Sequence, residues 1–149
     1  MKKVIAILFA VLMVSTAQAE TAYILCQPDS YVNVRETPSY HGAECGQFYV
    51  GDDFETDGIT RNGFLHVINA NFECSEAWVF TGFVTYYPVI VERVDGAVEA
   101  KGRVACRRSI DGKRRAWLKY GQNVVIYARA DDWSITNRGF IQTRYLGGF

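Results

Sequence analysis

Short runs of alternating apolar and polar residues, separated by turn residues, extend along most of the chain. The clearest run is Val-Asn-Val-Arg at 32–35, in which both valines point to one face of a strand and the polar pair to the other. Pro38 indicates that the strand ends nearby and opens into a loop, because proline cannot continue a central ladder. A weaker copy, Val-Ala-Cys-Arg, follows at 104–107. The chain therefore contains an internal repeat.

Turn signals divide the rest of the chain into further short strands. Gly-Asp at 51–52 and Asn-Gly at 62–63 predict tight turns, since Asn-Gly supplies the positive φ angles of a two-residue hairpin. Asp-Gly at 95–96 is expected to form the turn that begins the second copy. No window after residue 19 keeps a helical apolar period for three turns. The pattern predicts an all-β protein.

The first nineteen residues have the composition of a cleaved signal peptide. Two lysines at 2–3 precede an apolar run at 4–14, and Ala-Gln-Ala at 17–19 supplies a cleavage site. The apolar run is too short to cross a bilayer as a helix, which needs about 20 residues. We therefore expect an exported protein, periplasmic or extracellular and cell-wall associated, that does not enter the membrane after cleavage.

Two copies of the repeat divide the mature chain into a first unit, residues 20–87, and a divergent second unit, residues 88–149. The closing pattern agrees best, because Trp-Val at 78–79 and Phe-Ile at 140–141 are each followed at the same spacing by an aromatic-aliphatic pair. Five short strands in about 60 residues suit a small closed or nearly closed barrel. The pattern predicts two such barrels in tandem after the signal peptide.

Charge differs strongly between the two halves of the mature chain. Residues 20–90 carry ten acidic and two basic side chains, whereas residues 91–149 carry twelve basic and six acidic ones. Such asymmetry is expected of two modules with different surfaces. Either the two surfaces attract each other, or the basic half meets an anionic partner. The sequence does not separate these two interpretations.

The ordered motifs of the first unit resemble those of the bacterial SH3 (SH3b) domain. The resemblance is carried by Val-Asn-Val-Arg at 32–35, Gly-Asp at 51–52, Gly-Phe at 63–64, Ala-Trp-Val at 77–79 and Phe-Val at 83–84. It implies small β-barrels that act as binding modules, often for peptidoglycan or its peptide cross-links. Phe64 and Phe140 stand where the family usually has tryptophan, which alters any groove that those tryptophans line.

Candidate ligand residues fall into two groups. Aromatic side chains near the long loop of the first unit suit a peptide or a sugar, although core packing is the alternative for Trp78. Basic side chains across the long loop of the second unit suit an anionic polymer, a carboxylate-rich peptide or the acidic first unit, with a solvated loop as the alternative. The predicted ligand residues are Tyr31, Tyr40, Phe64, Trp78, Trp133, Arg107, Arg108, Arg114 and Arg115.

Four cysteines lie in the mature chain, and export favours a disulfide. Cys106 takes the inward position of Val34 in the repeat, so we expect a buried free thiol there. The other three cysteines lie in the first unit, and the sequence does not choose among their pairings. We favour Cys45–Cys74, because that bridge would pin the insertion that contains Cys74.

No sequence motif indicates catalysis, a cofactor or a metal. The motifs His-Glu-x-x-His and Gly-x-Ser-x-Gly are absent, as is a glycine-rich phosphate loop, and the cysteines are too widely spaced for a zinc site. We expect a non-catalytic exported protein that recognises peptidoglycan or cell-wall peptides. The alternative is an adaptor or inhibitor that docks on another envelope protein through its oppositely charged units. Nucleic acid is not an expected partner of an exported protein.

Overall fold

The computed structural model describes residues 18–149, which form β-strands joined by turns and two short 3-10 helices. All strand pairs are antiparallel, and they build three sheets. Sheets of three and five strands contain only strands from residues 20–85, and a seven-stranded sheet contains only strands from residues 90–147. The all-β prediction is confirmed. The predicted signal peptide, apart from its last two residues, lies outside the described residues.

The first unit contains eight strands. Their order is β4-β1-β8 in the smaller sheet and β3-β2-β7-β6-β5 in the larger one. A 3-10 turn, Thr81–Phe83, connects β7 to β8. The strands are β1 (Glu20–Ile24), β2 (Val32–Arg35), β3 (Glu44–Phe48), β4 (Asp53–Thr56), β5 (Thr60–Arg61), β6 (Phe64–Val67), β7 (Ala77–Phe80) and β8 (Val84–Thr85).

The second unit contains seven strands in the order β11-β10-β14-β13-β12-β9-β15, so that β11 and β15 form the two edges. A 3-10 turn, Thr143–Tyr145, precedes the last strand, as in the first unit. The strands are β9 (Ile90–Val98), β10 (Arg103–Arg107), β11 (Arg114–Lys119), β12 (Asn123–Arg129), β13 (Trp133–Thr136), β14 (Gly139–Gln142) and β15 (Leu146–Gly147).

Strand pairing repeats between the units. β1 pairs with β4 and β8 as β9 pairs with β12 and β15, and β2 pairs with β3 and β7 as β10 pairs with β11 and β14. Turn hydrogen bonds repeat as well. The backbone N–H of Gly51 donates to the carbonyl of Ile24 (2.9 Å), and that of Gly121 donates to Val98 (2.7 Å). The internal repeat thus extends from sequence to backbone geometry.

Equivalent arginines brace the long loop of each unit. Arg35 ends β2, and its Nη1 donates to the carbonyl of Gly42 at 2.8 Å. Arg107 ends β10 and donates in the same way to the carbonyl of Gly112, also at 2.8 Å. A guanidinium group suits this role because its several N–H donors are held in a fixed plane. The recurring arginine therefore fixes loop conformation.

Two turn predictions have opposite outcomes. The Asn62-Gly63 hairpin is confirmed: φ is 51° at Asn62 and 78° at Gly63, between the paired residues Arg61 and Phe64. The predicted turn at 95–96 is wrong, because β9 runs through it without a break. Pairing with β12 extends from Ile90 to Ala97, and this long ladder outweighs the local Asp-Gly signal.

The disulfide Cys45–Cys74 is present, as predicted. It joins β3 to the polar insertion between β6 and β7, across 29 residues of sequence. Phe72 of the insertion packs against Phe48 with ring centroids 5.4 Å apart, and it also lies directly over Gly46, where a Cβ would collide with the ring. The bridge and this ring together hold the insertion against the first core.

Each unit has its own apolar core, and a third apolar cluster lies between the units. Val34 and Val79 are fully buried in the first core, and Cys106 and Ile141 in the second. Cys106 is a free, buried cysteine, as its repeat position predicted, and Cys26 is also free and buried. No helix among residues 18–149 is long and apolar enough to cross a membrane.

Candidate binding site

The third cluster joins the two units through side chains from both. Leu25 of the first unit is fully buried among Trp133, Ile135 and Phe140 of the second. Phe83 packs against the same cluster, with its ring centroid 5.9 Å from that of Phe140. Ion pairs do not join the units within residues 18–149, since each observed pair lies inside one unit. Apolar burial therefore contributes to the contact between the units, and no ion pair among residues 18–149 adds to it.

Hydrogen bonds fix the long loop of the second unit against the first unit. The backbone N–H of Ile110 donates to the carbonyl of Gly82 at 2.8 Å. Gly82 is needed at this contact, because a Cβ there would collide with the Phe80 ring and lie 2.9 Å from the Cβ of Ser109. Gln27 Nε2 donates to the carbonyl of Thr136 at 3.2 Å, which joins the units at β13, outside this loop. The loop that contains Arg108 is thus held by both units.

A cleft of about 230 Å³ opens beside this contact, with walls from both units. Phe83, Ile135 and Phe140 give it an apolar wall, and Tyr31 of the first unit lies at its rim with half of its surface exposed. The cationic lining consists of Arg107, Arg108 and Arg115.

No carboxylate is among the residues that line the cleft. Arg107 uses one nitrogen to brace its loop and retains further N–H donors, while Arg108 and Arg115 are exposed and form no ion pair within the described part of the chain. A small space with apolar walls and three guanidinium groups is suited to an anion that is attached to an apolar or peptide body.

Neither free thiol is poised for nucleophilic chemistry. Cys26 lines the cleft, and burial together with the charge of Asp52 raises the pKa of its thiol to about 11. Burial also raises the pKa of Cys106, although the positive charges of Arg115 and Arg138 oppose this. Both thiols are therefore protonated at neutral pH, and the thiolate is the reactive form.

The predicted aromatic residues do not form one open groove. Trp133 lies in the cluster between the units and is 5% exposed. Phe64 is buried beneath Tyr40 and Phe80, whose rings lie 5.1 Å and 5.8 Å from it. Three of the five aromatic candidates, namely these two and Trp78, thus present almost no surface to a ligand.

Other side chains of the first unit pack over the ring of Trp78. The ring of His66 lies 4.7 Å from it, and the guanidinium carbon of Arg61 lies 5.6 Å from its centroid. Its indole N–H donates to Glu76 at 3.2 Å. Phe140 is the equivalent residue of the second unit, because β13–β14 pair in the same register as β6–β7. Residues of the first unit pack over Phe140.

Four of the nine predicted ligand residues meet at the cleft, namely Tyr31, Arg107, Arg108 and Arg115. Tyr40 remains 60% exposed at a separate position in the first unit. Arg114 lies outside the cleft, over the ring of Trp117 at 4.5 Å. Sequence reasoning did not identify Ile135 as part of the cleft wall, because an apolar residue facing a neighbouring unit has the same pattern as one facing its own core.

An aspartate–histidine pair lies away from the cleft in the first unit. His66 Nδ1 and Asp57 Oδ2 are 2.7 Å apart, and the other Asp57 oxygen accepts from the backbone N–H of Ile59. Burial raises the pKa of Asp57, but the hydrogen bond with His66, the bond from Ile59 and the His66 charge hold it below its ordinary value of 3.8.

The Asp57 contact gives a pH-dependent prediction. The pKa of Asp57 is lower in the folded than in the unfolded chain. Ionised Asp57 therefore stabilises the folded state fully above pH 3.8, and this stabilisation is lost as pH falls through the folded pKa. The difference in unfolding free energy between the wild type and Asp57→Asn should be constant near pH 5 and shrink below about pH 3.8. Denaturant unfolding across this range measures the difference, and a difference that stays constant well below about pH 3.8 contradicts the prediction.

Residues 18–149 contain no group of three or more His, Cys, Asp or Glu side chains that could hold a metal ion.

No protein-family model matches the chain, and no curated protein matches it. Two solved structures from Trichomonas vaginalis, NlpC2 and NlpC1, are similar to it with 14% sequence identity and a TM-score of 0.39. The similarity covers 91% of this chain and 50% and 48% of theirs, so the chain spans about half their length. At this TM-score the similarity does not establish a shared fold or function.

Proposed function

We propose that this protein is an exported, non-catalytic binding protein made of two SH3-like barrels in tandem, and that it recognises cell-wall peptides through the cleft between them. The proposal rests on one cleft whose lining residues include no carboxylate and include Tyr31, Arg107, Arg108 and Arg115. Its chemistry fits the terminal or side-chain carboxylates of peptidoglycan stem peptides. Guanidinium groups bind carboxylates through paired, charge-assisted hydrogen bonds.

The size of the cleft narrows the class of ligand. Pockets for drug-sized ligands are about 300–1,000 Å³, and this cleft of about 230 Å³ is smaller. It accommodates one carboxylate-bearing residue of a peptide rather than a disaccharide. The apolar wall formed by Phe83 and Phe140 suits the methyl or methylene part of that residue, while the arginines meet its charge.

Export and the absence of catalysis rest on separate observations. The Cys45–Cys74 disulfide is typical of proteins that fold in an oxidising compartment. The raised pKa of Cys26 leaves the cleft without a thiolate nucleophile at neutral pH, and His66 is paired with Asp57 rather than with a cysteine. These features support binding over acyl transfer at this site.

Cosedimentation with purified peptidoglycan tests the proposal. The wild-type protein should bind, and Arg108→Gln and Arg115→Gln should each weaken binding by about tenfold or more, since a hydrogen bond to a charged group contributes about 1.5–3 kcal/mol. Arg93→Gln is the matched control, because it removes the same charge from an exposed residue outside the cleft. Wild-type protein that stays in the supernatant at low and moderate salt contradicts the proposal.

A further inference from the structure

We propose that the outer face of the β10–β11 hairpin is a second ligand site, centred on Trp117, for an acidic saccharide. Trp117 lies on the edge strand β11 and is 45% exposed, whereas Trp78 and Trp133 are 2% and 5% exposed. Trp117 is therefore the one tryptophan of the three whose ring is accessible to a ligand. This site has no part in the proposed binding of wall peptides.

Two arginines hold the Trp117 ring in place. The guanidinium carbon of Arg114 lies 4.5 Å from the ring centroid, and that of Arg103 lies 5.3 Å from it. Cation–π contacts of this kind fix the ring while they leave each guanidinium with N–H donors for an anion. The ring and its arginines therefore form a preorganised surface with both an apolar and a cationic part.

A groove of about 330 Å³ lies next to the ring. Trp117, Lys101, Arg103 and Arg107 are among its lining residues, which include no carboxylate. Gln142 also lines it, and the carboxamide oxygen of Gln142 is buried without a hydrogen-bond partner in residues 18–149. A buried acceptor of this kind is ordinarily paired with a water molecule or with a ligand donor such as a hydroxyl group.

The tryptophan with its two arginines, the adjacent groove and the unpartnered acceptor together favour an acidic saccharide. The C–H groups of a sugar ring can pack on the part of the Trp117 ring that the two arginines leave exposed, while its hydroxyl groups donate hydrogen bonds and its carboxylate pairs with arginine. Charged side chains also protect an edge strand from pairing with other chains, but that protection requires neither the exposed tryptophan nor the groove. The groove is also large enough for a sugar residue, whereas the cleft between the units is smaller.

Intrinsic fluorescence tests this site directly, because Trp117 is the exposed member of the three tryptophans. A tetramer of galacturonic acid should change the emission of the wild-type protein and saturate, whereas maltotetraose, its neutral counterpart in length, should not. Arg103→Gln and Arg114→Gln should each weaken binding at least tenfold, and Arg93→Gln less than twofold. Trp117→Phe should remove most of the fluorescence change, because Trp133, which also lines the groove, is only 5% exposed.

Several outcomes overturn the assignment. Equal loss of binding in Arg103→Gln and Arg93→Gln indicates general charge attraction, and equal binding of maltotetraose indicates no role for the carboxylate. Equally tight binding of a single-stranded oligonucleotide or of phosphatidylglycerol vesicles assigns the hairpin to polyanions in general. Arg107 lines both sites and is therefore not substituted. The saccharide site is tested with Arg103→Gln and Arg114→Gln and the peptide site with Arg108→Gln and Arg115→Gln, so the two proposals can fail independently.

Discussion

Leu25→Ala should lower the free energy of unfolding by about 3 kcal/mol and loosen the contact between the two units. Leu25 is fully buried in the cluster that contains Trp133, Ile135 and Phe140, so its truncation leaves a cavity at the centre of the interface. The cost of a buried Leu→Ala substitution is about 2–5 kcal/mol. Denaturant unfolding measures the stability, and acrylamide quenching of Trp133, in a chain with Trp78 and Trp117 replaced by Phe, measures the opening.

Leu65→Ala is the matched control for this prediction. Leu65 is equally buried but belongs to the core of the first unit, so its loss should destabilise that unit without exposing Trp133 to the quencher in the folded state. A change of less than about 0.5 kcal/mol for Leu25→Ala, the size expected of surface substitutions, contradicts the proposed role of the interface. So does quenching of Trp133 that is the same in both variants.

Removal of the Cys45–Cys74 disulfide has the second large expected effect. With a sequence separation of 29 between the two cysteines, the loop-closure model gives a destabilisation of about 3.5 kcal/mol for Cys45→Ser/Cys74→Ser. The reason is that the bridge restricts the unfolded chain as well as anchoring the insertion that carries Phe72. Denaturant unfolding of the oxidised wild type and the double variant measures the difference.

Reduction of the wild type supplies the control for the disulfide. A reductant should bring the wild type to the stability of the double variant and leave the double variant unchanged. The free cysteines Cys26 and Cys106 are present in both proteins, so they do not account for a difference. Equal stability of the oxidised and reduced wild type contradicts the prediction.

Local pattern was sufficient for the strands and several turns. Alternation at 32–35 predicted β2, and Asn62-Gly63 predicted its hairpin, because both depend on residues that are neighbours in sequence. The repeat predicted the buried thiol of Cys106 from the position of Val34, since the two positions share one register in their sheets. The prediction of a turn at 95–96 was wrong because pairing with a strand distant in sequence, β12, holds these residues in an extended conformation.

The interface between the units depends on information that neither unit's pattern contains. The backbone N–H of Leu25 donates to Phe83, and that of Glu99 donates to Tyr145, so Leu25 and Glu99 are equivalent positions. Leu25 is buried against the second unit, whereas Glu99 is exposed. This difference between the copies is the sequence signal that was available for the interface. A resemblance between the units hides it, because a repeat suggests that both positions have the same role.

The candidate ligand residues show the same limit. Aromatic residues were expected to line a groove, but a groove and an interface both require apolar rings on one face of a sheet. Trp133 therefore lies in the interface, while Tyr31 lies at the cleft that the interface creates. The arginine cluster was predicted as a cluster, but its division was not: Arg108 and Arg115 line the cleft, whereas Arg114 lies over Trp117 of its own strand.

Calorimetric titration with two forms of one wall peptide tests whether the cleft binds a carboxylate. The first ends in a free D-alanine carboxylate and the second in the corresponding amide, so they differ in the anionic group that the three arginines are proposed to bind. We expect the wild type to bind the acid at least tenfold more tightly than the amide, and Arg108→Gln to remove most of this difference. Equal affinity for the acid and the amide, or a preference that persists in Arg108→Gln and Arg115→Gln, contradicts this expectation.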